Sequence, residues 1–331
     1  MKQFYQSYIS GIGHYVPEKI LTNKDLEKMV ETSDEWIIQR TGISERHIAA
    51  EGQNTSDLGY QASLKAMAMA GVTAEQLDLI IVATITPDMV FPATAALIQD
   101  KLQANNAGTV DIEAACTGFI YGLSIASQFI ETGKFQNILV IGAECLTRIT
   151  DWKDRNTCVL FGDGAGAAVV SRAPEGSTSR LIDFYLRGQG KYSDLLYLPA
   201  GGSAKPATEE TVKNRDHYMK MAGKETFKLA STNMANSIKA LLKDNAVSPD
   251  DIDWVIPHQA NLRIMKMAAR MADINEDKVV VNIDRFGNTS AATIPIAMSE
   301  CVEKGTIKRG HKLVFVAFGG GMTWGANLLV F

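Results

Sequence analysis

Three residues have types and settings that suit acyl transfer: Cys116, His258 and Asn288. Cys116 lies in Thr109 to Gly133, TVDIEAACTGFIYGLSIASQFIETG. There Val110 and Ile112 alternate with Asp111 and Glu113 as in a strand, and Phe119, Leu123, Ala126 and Ile130 then take helical spacing. The cysteine therefore stands where a strand hands over to a helix. Free N–H groups and the dipole at a helix N-terminus favour negative charge, so the expected thiol ionises easily and attacks carbonyl carbon as a covalent nucleophile. A lone cysteine is more commonly a small buried hydrophobe. His258 follows the apolar run Trp254 to Ile256, at the carboxyl end of a strand. Asn288 precedes Thr289-Ser290 at the start of a helix, where asparagine also serves as an ordinary cap.

The elements that must position these residues occur twice. Ala70 to Ile81 and Asn245 to Ile256 each read as helix end, turn and apolar strand. Thr109 to Gly133 has its counterpart in Val281 to Gly305, and both lead into buried strands, Ile138 to Gly142 and Leu313 to Ala317. Cys116 lies 17 residues before Gly133 and Asn288 lies 17 before Gly305, which puts the two at equivalent strand-to-helix corners. The expected halves are residues 1–175, carrying the cysteine, and 176–331, carrying the histidine and asparagine. Open parallel sheets bind ligands outside the carboxyl ends of their strands, so two facing copies would bring the three groups into one crevice.

Elsewhere, Tyr8 to Ile12 reads as a strand ended by a Gly11-Ile12-Gly13 turn, and a short helix follows from Asn23. Thr32-Ser33-Asp34-Glu35 has a capping-box pattern opening a helix with Trp36 and Arg40 on one face. Thr55 to Ala70 is an amphipathic helix closed by Gly71, and Leu79 to Ala83 is a strand buried on both faces. The Gly162 to Gly166 run leads into Ala167-Ala168-Val169-Val170 instead of opening a helix, so it fails the context of a dinucleotide fingerprint. Pro199 to His217 reads as a surface excursion.

With 46% apolar and 21% charged residues the 331-residue chain has the composition of a soluble globular protein. A net charge of −4 gives no overall pull toward nucleic acid or anionic membrane. The four cysteines form no CxxC pair and no metal-ligand spacing, and the first residues lack an apolar signal core. The expected setting is cytoplasmic, with no metal.

The chain resembles the β-ketoacyl-acyl-carrier-protein synthase III family of the thiolase superfamily. The resemblance rests on Asp34-Glu35-Trp36-Ile37 with Arg40-Thr41-Gly42-Ile43, Ala114-Ala115-Cys116, Phe161 to Gly166, His258-Gln259-Ala260-Asn261, Gly287 to Ala292 and Phe318-Gly319-Gly320-Gly321, and spans nearly the whole chain. It implies a duplicated, five-layered αβαβα fold, a homodimer, and an acyltransferase that condenses an acyl-CoA primer such as acetyl-CoA with malonyl-acyl-carrier protein, with loss of CO₂ and no cofactor beyond the CoA thioesters themselves.

The same resemblance implies roles residue by residue. Cys116 carries the acyl group, and the N–H groups of Cys116 and Gly320 hold the oxyanion. His258 and Asn288 serve the malonyl enolate. Trp36, Arg40, Arg155 and Asn261 hold CoA. By spacing alone Arg263, Lys266 and Arg270 form one cationic stripe on the helix after His258; solvated charge is the default reading of such a stripe, but beside the active site it would steer an acidic carrier protein, with Arg263 and Arg270 as contacts and Lys228, at a matching family position, joining them. Phe91 reaches into the partner's acyl pocket. Asn156 departs from the family, where glycine is frequent.

Three other readings compete. A related polyketide- or quinolone-type condensing enzyme would use malonyl-CoA. Cys, His and Asn in that order also describe papain-like peptidases, but the local signature around the cysteine is missing and the duplication is then unexplained. A thiolase would need a second catalytic cysteine, which the Phe318 to Gly321 loop lacks.

Overall fold

The computed structural model describes residues 3–331. Its strands are β1 Ser7–Tyr15, β2 Lys19–Thr22, β3 Glu45–Ile48, β4 Leu79–Ala83, β5 Gly108–Ile112, β6 Asn137–Cys145, β7 Asp163–Arg172, β8 Arg180–Gly188, β9 Leu196–Tyr197, β10 Lys220–Met221, β11 Trp254–Pro257, β12 Lys312–Gly319 and β13 Thr323–Val330. Its helices are α1 Asn23–Leu26, α2 Asp34–Thr41, α3 Thr55–Ala70, α4 Thr94–Leu102, α5 Gly118–Glu131, α6 Glu209–Lys213, α7 Gly223–Asp244, α8 Leu262–Met271, α9 Ile283–Phe286 and α10 Thr293–Glu303.

Two sheets carry the duplication strand for strand. The first has the order β1-β7-β6-β4-β5 and the second β8-β13-β12-β11, with Val279 bridging Val255 where a fifth strand would lie. In each, a parallel pair (β4 with β6, β11 with β12) is followed by an antiparallel strand (β7, β13) and an antiparallel edge (β1, β8).

Helices α5 and α10 fill the space between the sheets. Phe119, Leu123 and Ile130 of one and Ile294 and Met298 of the other join residues of both sheets in a single core. Each such side chain contributes roughly 1.5–3 kcal/mol by leaving water. Helices α3 and α4 cover the outer face of the first sheet, and α7 and α8 that of the second. The result is the five-layered αβαβα arrangement.

Helix α3 and strand β4 have the expected bounds, and Gly71 closes α3 in the left-handed region. The Gly11 to Gly13 turn is not formed. Strand β1 runs on to Tyr15, and the two glycines sit inside it because α3 crosses there: a Cβ on Gly11 would lie 2.2 Å from Ala66 O. At α2 the cap is Ser33, whose hydroxyl accepts the Trp36 N–H at 3.2 Å. Gly162 and Gly166 are close-packed backbone, against Phe286 O and Pro295.

Candidate active site

Cys116 sits in a one-turn 3-10 segment, Ala115–Thr117, between β5 and α5, and Ala115 takes φ 43° to make the corner. The second half makes the same corner at Ser290, φ 49°, in the turn Ser290–Ala292 before α10. The equal count of residues to the closing glycine is therefore not a match of corners. Helix α10 has 11 residues against 14 in α5, and Asn288 stands two residues ahead of its corner. It reaches the site because Asn288 N donates to Leu160 O and Gly162 N donates to Asn288 O, which stitches the loop to the first half.

Cys116, His258 and Asn288 line one narrow cavity of about 110 Å³, walled by apolar side chains including Phe227, Ile264 and Phe318. On its other side Cys116 borders a wider cavity of about 660 Å³ lined by Ile85, Ile112, Leu146, Phe161 and Met219. That wall also includes Leu196 to Leu198 and, just after them, Gly202 of the Pro199 to His217 segment that reads as a surface excursion. This stretch folds inward because β9 pairs with β10 and Met219 N donates to Ile149 O.

The electrostatics reverse one expectation. Cys116 is 7% exposed, and burial pushes its thiol up to about 12, outweighing the Ser290 hydroxyl and the Cys116 N–H, which act the other way. Glu144, buried nearby, raises it further. His258 is 1% exposed and burial holds it neutral, down to about 3. Its Nδ1 lies 2.8 Å from Thr293 Oγ1. Asn288 Oδ1 accepts the Ser290 N–H at 2.9 Å, which leaves Nδ2 free of that turn.

Gly319 presses on the nucleophile: a Cβ there would meet Cys116 N at 2.7 Å. Gly320 borders the wide cavity beside Cys116. Thr117 and Thr323 share a hydroxyl contact of 2.7 Å, and Thr323 Oγ1 also reaches Ala114 O and Gly320 O at 3.3 Å, so the glycine loop is pinned to the cysteine turn. Sequence patterns did not single out Thr293, Thr117, Thr323 or Glu144. Only the fold brings these ordinary strand and helix residues together.

Beyond the cavity, Asn261 caps α8 by accepting the Arg263 N–H and donates to Arg40 O at 2.9 Å, so it joins α8 to α2. The Arg155 guanidinium stands 4.7 Å over the Trp36 ring, and that of Arg40 stands 5.9 Å from it. The cationic stripe is only partly bare. Arg270 pairs with Glu276 and Lys266 lies 3.8 Å from the same carboxylate, whereas the Arg263 guanidinium rests 5.6 Å over Phe227 and Lys228 is exposed. Phe91 is 83% exposed. Among the described residues no cluster of potential ligands could hold a metal, and no helix is long and apolar enough to cross a membrane.

Two family models match the chain: 3-oxoacyl-[acyl-carrier-protein] synthase III over residues 110–190, and the C-terminal part of the same family over 242–331. The β-ketoacyl-[acyl-carrier-protein] synthase III of Caldanaerobacter subterraneus subsp. tengcongensis is 53% identical over 97% of this chain and 96% of its own. That of Xanthomonas oryzae pv. oryzae is 48% identical over 99% of both. Among solved structures, 3-oxoacyl-[acyl-carrier-protein] synthase III from Aquifex aeolicus is 46% identical with a TM-score of 0.90, covering 98% of this chain and all of that one. The priming β-ketosynthase of the R1128 polyketide pathway has a TM-score of 0.91 at 30% identity, covering all of this chain and 98% of that one.

Proposed function

Because this chain belongs to the 3-oxoacyl-[acyl-carrier-protein] synthase III family and is an acyl-transferring condensing enzyme that starts fatty-acid synthesis, we propose that Cys116, His258 and Asn288 carry the reaction between an acyl-CoA primer and malonyl-acyl-carrier protein. Family membership removes the peptidase alternative. The observation that carries the assignment is the position of Cys116 where a narrow cavity holding His258 and Asn288 meets a wide apolar one.

In the first half-reaction the Cys116 thiol proton passes to His258 Nε2, the sulfur bonds to the thioester carbonyl carbon, and the bond to the CoA sulfur breaks. The proton leaves with CoA. The tetrahedral oxyanion lies against the N–H groups of Cys116 and Gly320, each such donor being worth roughly a hundred- to a thousand-fold in rate. The acyl chain then lies in the wide cavity.

In the second half-reaction malonyl thioester loses CO₂, so the carbanion forms without a strong base. Its electrons move to the thioester oxygen, which receives hydrogen bonds from Asn288 Nδ2 and His258 Nε2, and the carbon attacks the acyl-Cys116 carbonyl. The adduct collapses by breaking the bond to the Cys116 sulfur, which leaves as thiolate and returns to the thiol by taking up a proton from solvent through His258. His258 is acceptor in one half and donor in the other. Thr293 permits both: its hydroxyl lies 2.8 Å from Nδ1 and 2.9 Å from Ser290 O. Turned to Ser290 O it leaves the ring proton on Nδ1, and turned to Nδ1 it leaves that proton on Nε2.

Trp36, Arg40, Arg155 and Asn261 are assigned to CoA. The indole and guanidinium planes suit an adenine, and the Asn261 link to Arg40 continues from the narrow cavity toward them. Arg263 and Lys228, with Arg270 a weaker contributor, are assigned to the acidic carrier protein. A homodimer is assigned to the edge strand β5, which among the described residues has only β4 as neighbour, and to the exposed Phe91, which would close the partner's wide cavity. Light scattering that returned a monomer at micromolar concentration would sink the dimer.

Incubation with a panel of acyl-CoAs followed by intact-mass and peptide analysis tests the central claim. A single acyl group on Cys116 is expected, with the chain lengths accepted reporting the wide cavity. Acylation elsewhere, or none with any primer, would overturn it.

A further inference from the structure

Beneath the wide cavity lies a carboxyl group that no step above uses. Glu144, near the end of β6, is 0% exposed. Its Oε2 accepts the hydroxyls of Thr86 at 2.6 Å and Thr84 at 3.1 Å, and the Ile85 N–H reaches its two oxygens at 3.1 and 3.3 Å. All of these partners are neutral. A buried carboxylate without a cation is costly, and burial pushes Glu144 up to about 7.

The turn that follows Asn288 lies directly on this strand: a Cβ at Gly142 would meet Ala291 O at 2.3 Å. Ser290, in that turn, is 1% exposed, and its Oγ is buried with no hydrogen-bond partner. That turn packs on both β6 and the Cys116 turn, so the Ser290 hydroxyl lies beside the Glu144 carboxyl and the Cys116 sulfur and favours the charged form of each, without a formed hydrogen bond to either. A hydroxyl has one proton to give.

We propose that Glu144 and Ser290 are positioning residues for the nucleophile: the single Ser290 O–H serves either the Glu144 carboxylate or the Cys116 sulfur, so this buried space holds one negative charge at a time. Ionised Glu144 keeps Cys116 a thiol. Protonated Glu144 releases Ser290 to the sulfur. The other titratable groups around Glu144 are Cys145, its neighbour on β6, raised chiefly by burial, then by Asp163 and least by Glu144, with Arg148 acting the other way, and His258 on the far side of Cys116, held neutral by burial. The inference rests on Cys116 as the nucleophile but is read by chemistry independent of acyl-CoA.

The test is the rate of iodoacetamide labelling at Cys116, mapped by peptide mass, from about pH 5.5 to about pH 9.5, a range that brackets the value assigned to Glu144. The wild-type logarithmic rate is expected to rise with unit slope, flatten across about one pH unit near neutrality as Glu144 ionises, and then resume. Glu144→Gln is expected to give one straight line, about tenfold faster than wild type above the break. Ser290→Ala is expected to slow labelling more in the Glu144→Gln background than in wild type. A wild-type profile without a break, or a break that survives in Glu144→Gln, overturns the proposal. The wild-type profile alone decides the matter when the variant does not fold. Failure of the nucleophile assignment would look different: a normal break, with no acyl-Cys116 from any primer.

Discussion

His258 Nδ1 and Thr293 Oγ1 lie 2.8 Å apart in a space closed to water, so one hydroxyl governs which ring nitrogen carries the proton. Thr293→Val keeps the shape and removes that partner. An unpaired buried polar atom costs about 1–3 kcal/mol. The expected result is a kcat roughly 10- to 100-fold lower with little change in KM for acyl-CoA, and recovery in Thr293→Ser. Steady-state kinetics on both variants checks this, and a Val variant as active as the Ser variant would remove Thr293 from the mechanism.

Gly319 and Gly320 are adjacent but not equivalent. A methyl at Gly319 meets Cys116 N at 2.7 Å, a backbone atom that cannot yield, whereas at Gly320 the nearest atom is Leu196 O at 3.1 Å. Gly319→Ala is expected to abolish acyl-Cys116 formation and lower the melting temperature by several degrees, overpacking costing typically about 1–3 kcal/mol. Gly320→Ala is expected to fold nearly normally. Acylation by mass and melting by calorimetry separate the two.

Charge on α8 divides by its pairing. Glu276 already engages Arg270, while Arg263 rests over Phe227. Arg263→Glu is expected to raise the KM for malonyl-acyl-carrier protein at least about tenfold at low salt and leave that for acyl-CoA nearly unchanged. Arg270→Glu should do less. Equal effects on both substrates would remove α8 from the docking surface.

Two buried groups pull stability in opposite directions with pH. His258 is depressed to about 3, so between its ordinary value near 6.5 and that value the unfolded chain takes up a proton the folded one refuses, and stability falls as pH falls. Glu144 is raised to about 7, so its proton favours the folded state, and that contribution is lost as pH rises from about 4.5 to about 7. Each contributes a slope near 1.4 kcal/mol per pH unit, and between about pH 4.5 and 6.5 they cancel. Glu144→Gln removes one of the pair. Denaturant unfolding of that variant is expected to show stability climbing with pH relative to wild type across this window; parallel curves would count against a raised Glu144, and a variant whose own stability does not climb would count against a neutral buried His258.

What could be read from the sequence was local. The apolar run Leu79 to Ala83, the glycine that closes α3 and the strand-to-helix corner at Cys116 each depend on a few neighbours, and the repeated pattern exposed the two-sheet plan. The ionisation of Cys116 ran opposite to expectation because desolvation depends on residues far away in the chain. Thr293 and Glu144 escaped notice for a similar reason. A threonine opening a helix and a glutamate ending a strand become partners of the site only when the halves pack.

The wide and narrow cavities have Cys116 as their junction, and the narrow one has room for a single slender arm. Under the proposed mechanism the departing cofactor fragment and the incoming extender share that passage, so lingering free CoA obstructs the next substrate. Flux through the enzyme would then respond to the cellular ratio of free to acylated CoA, which ties the start of chain growth to the supply of activated carbon without any separate regulatory site.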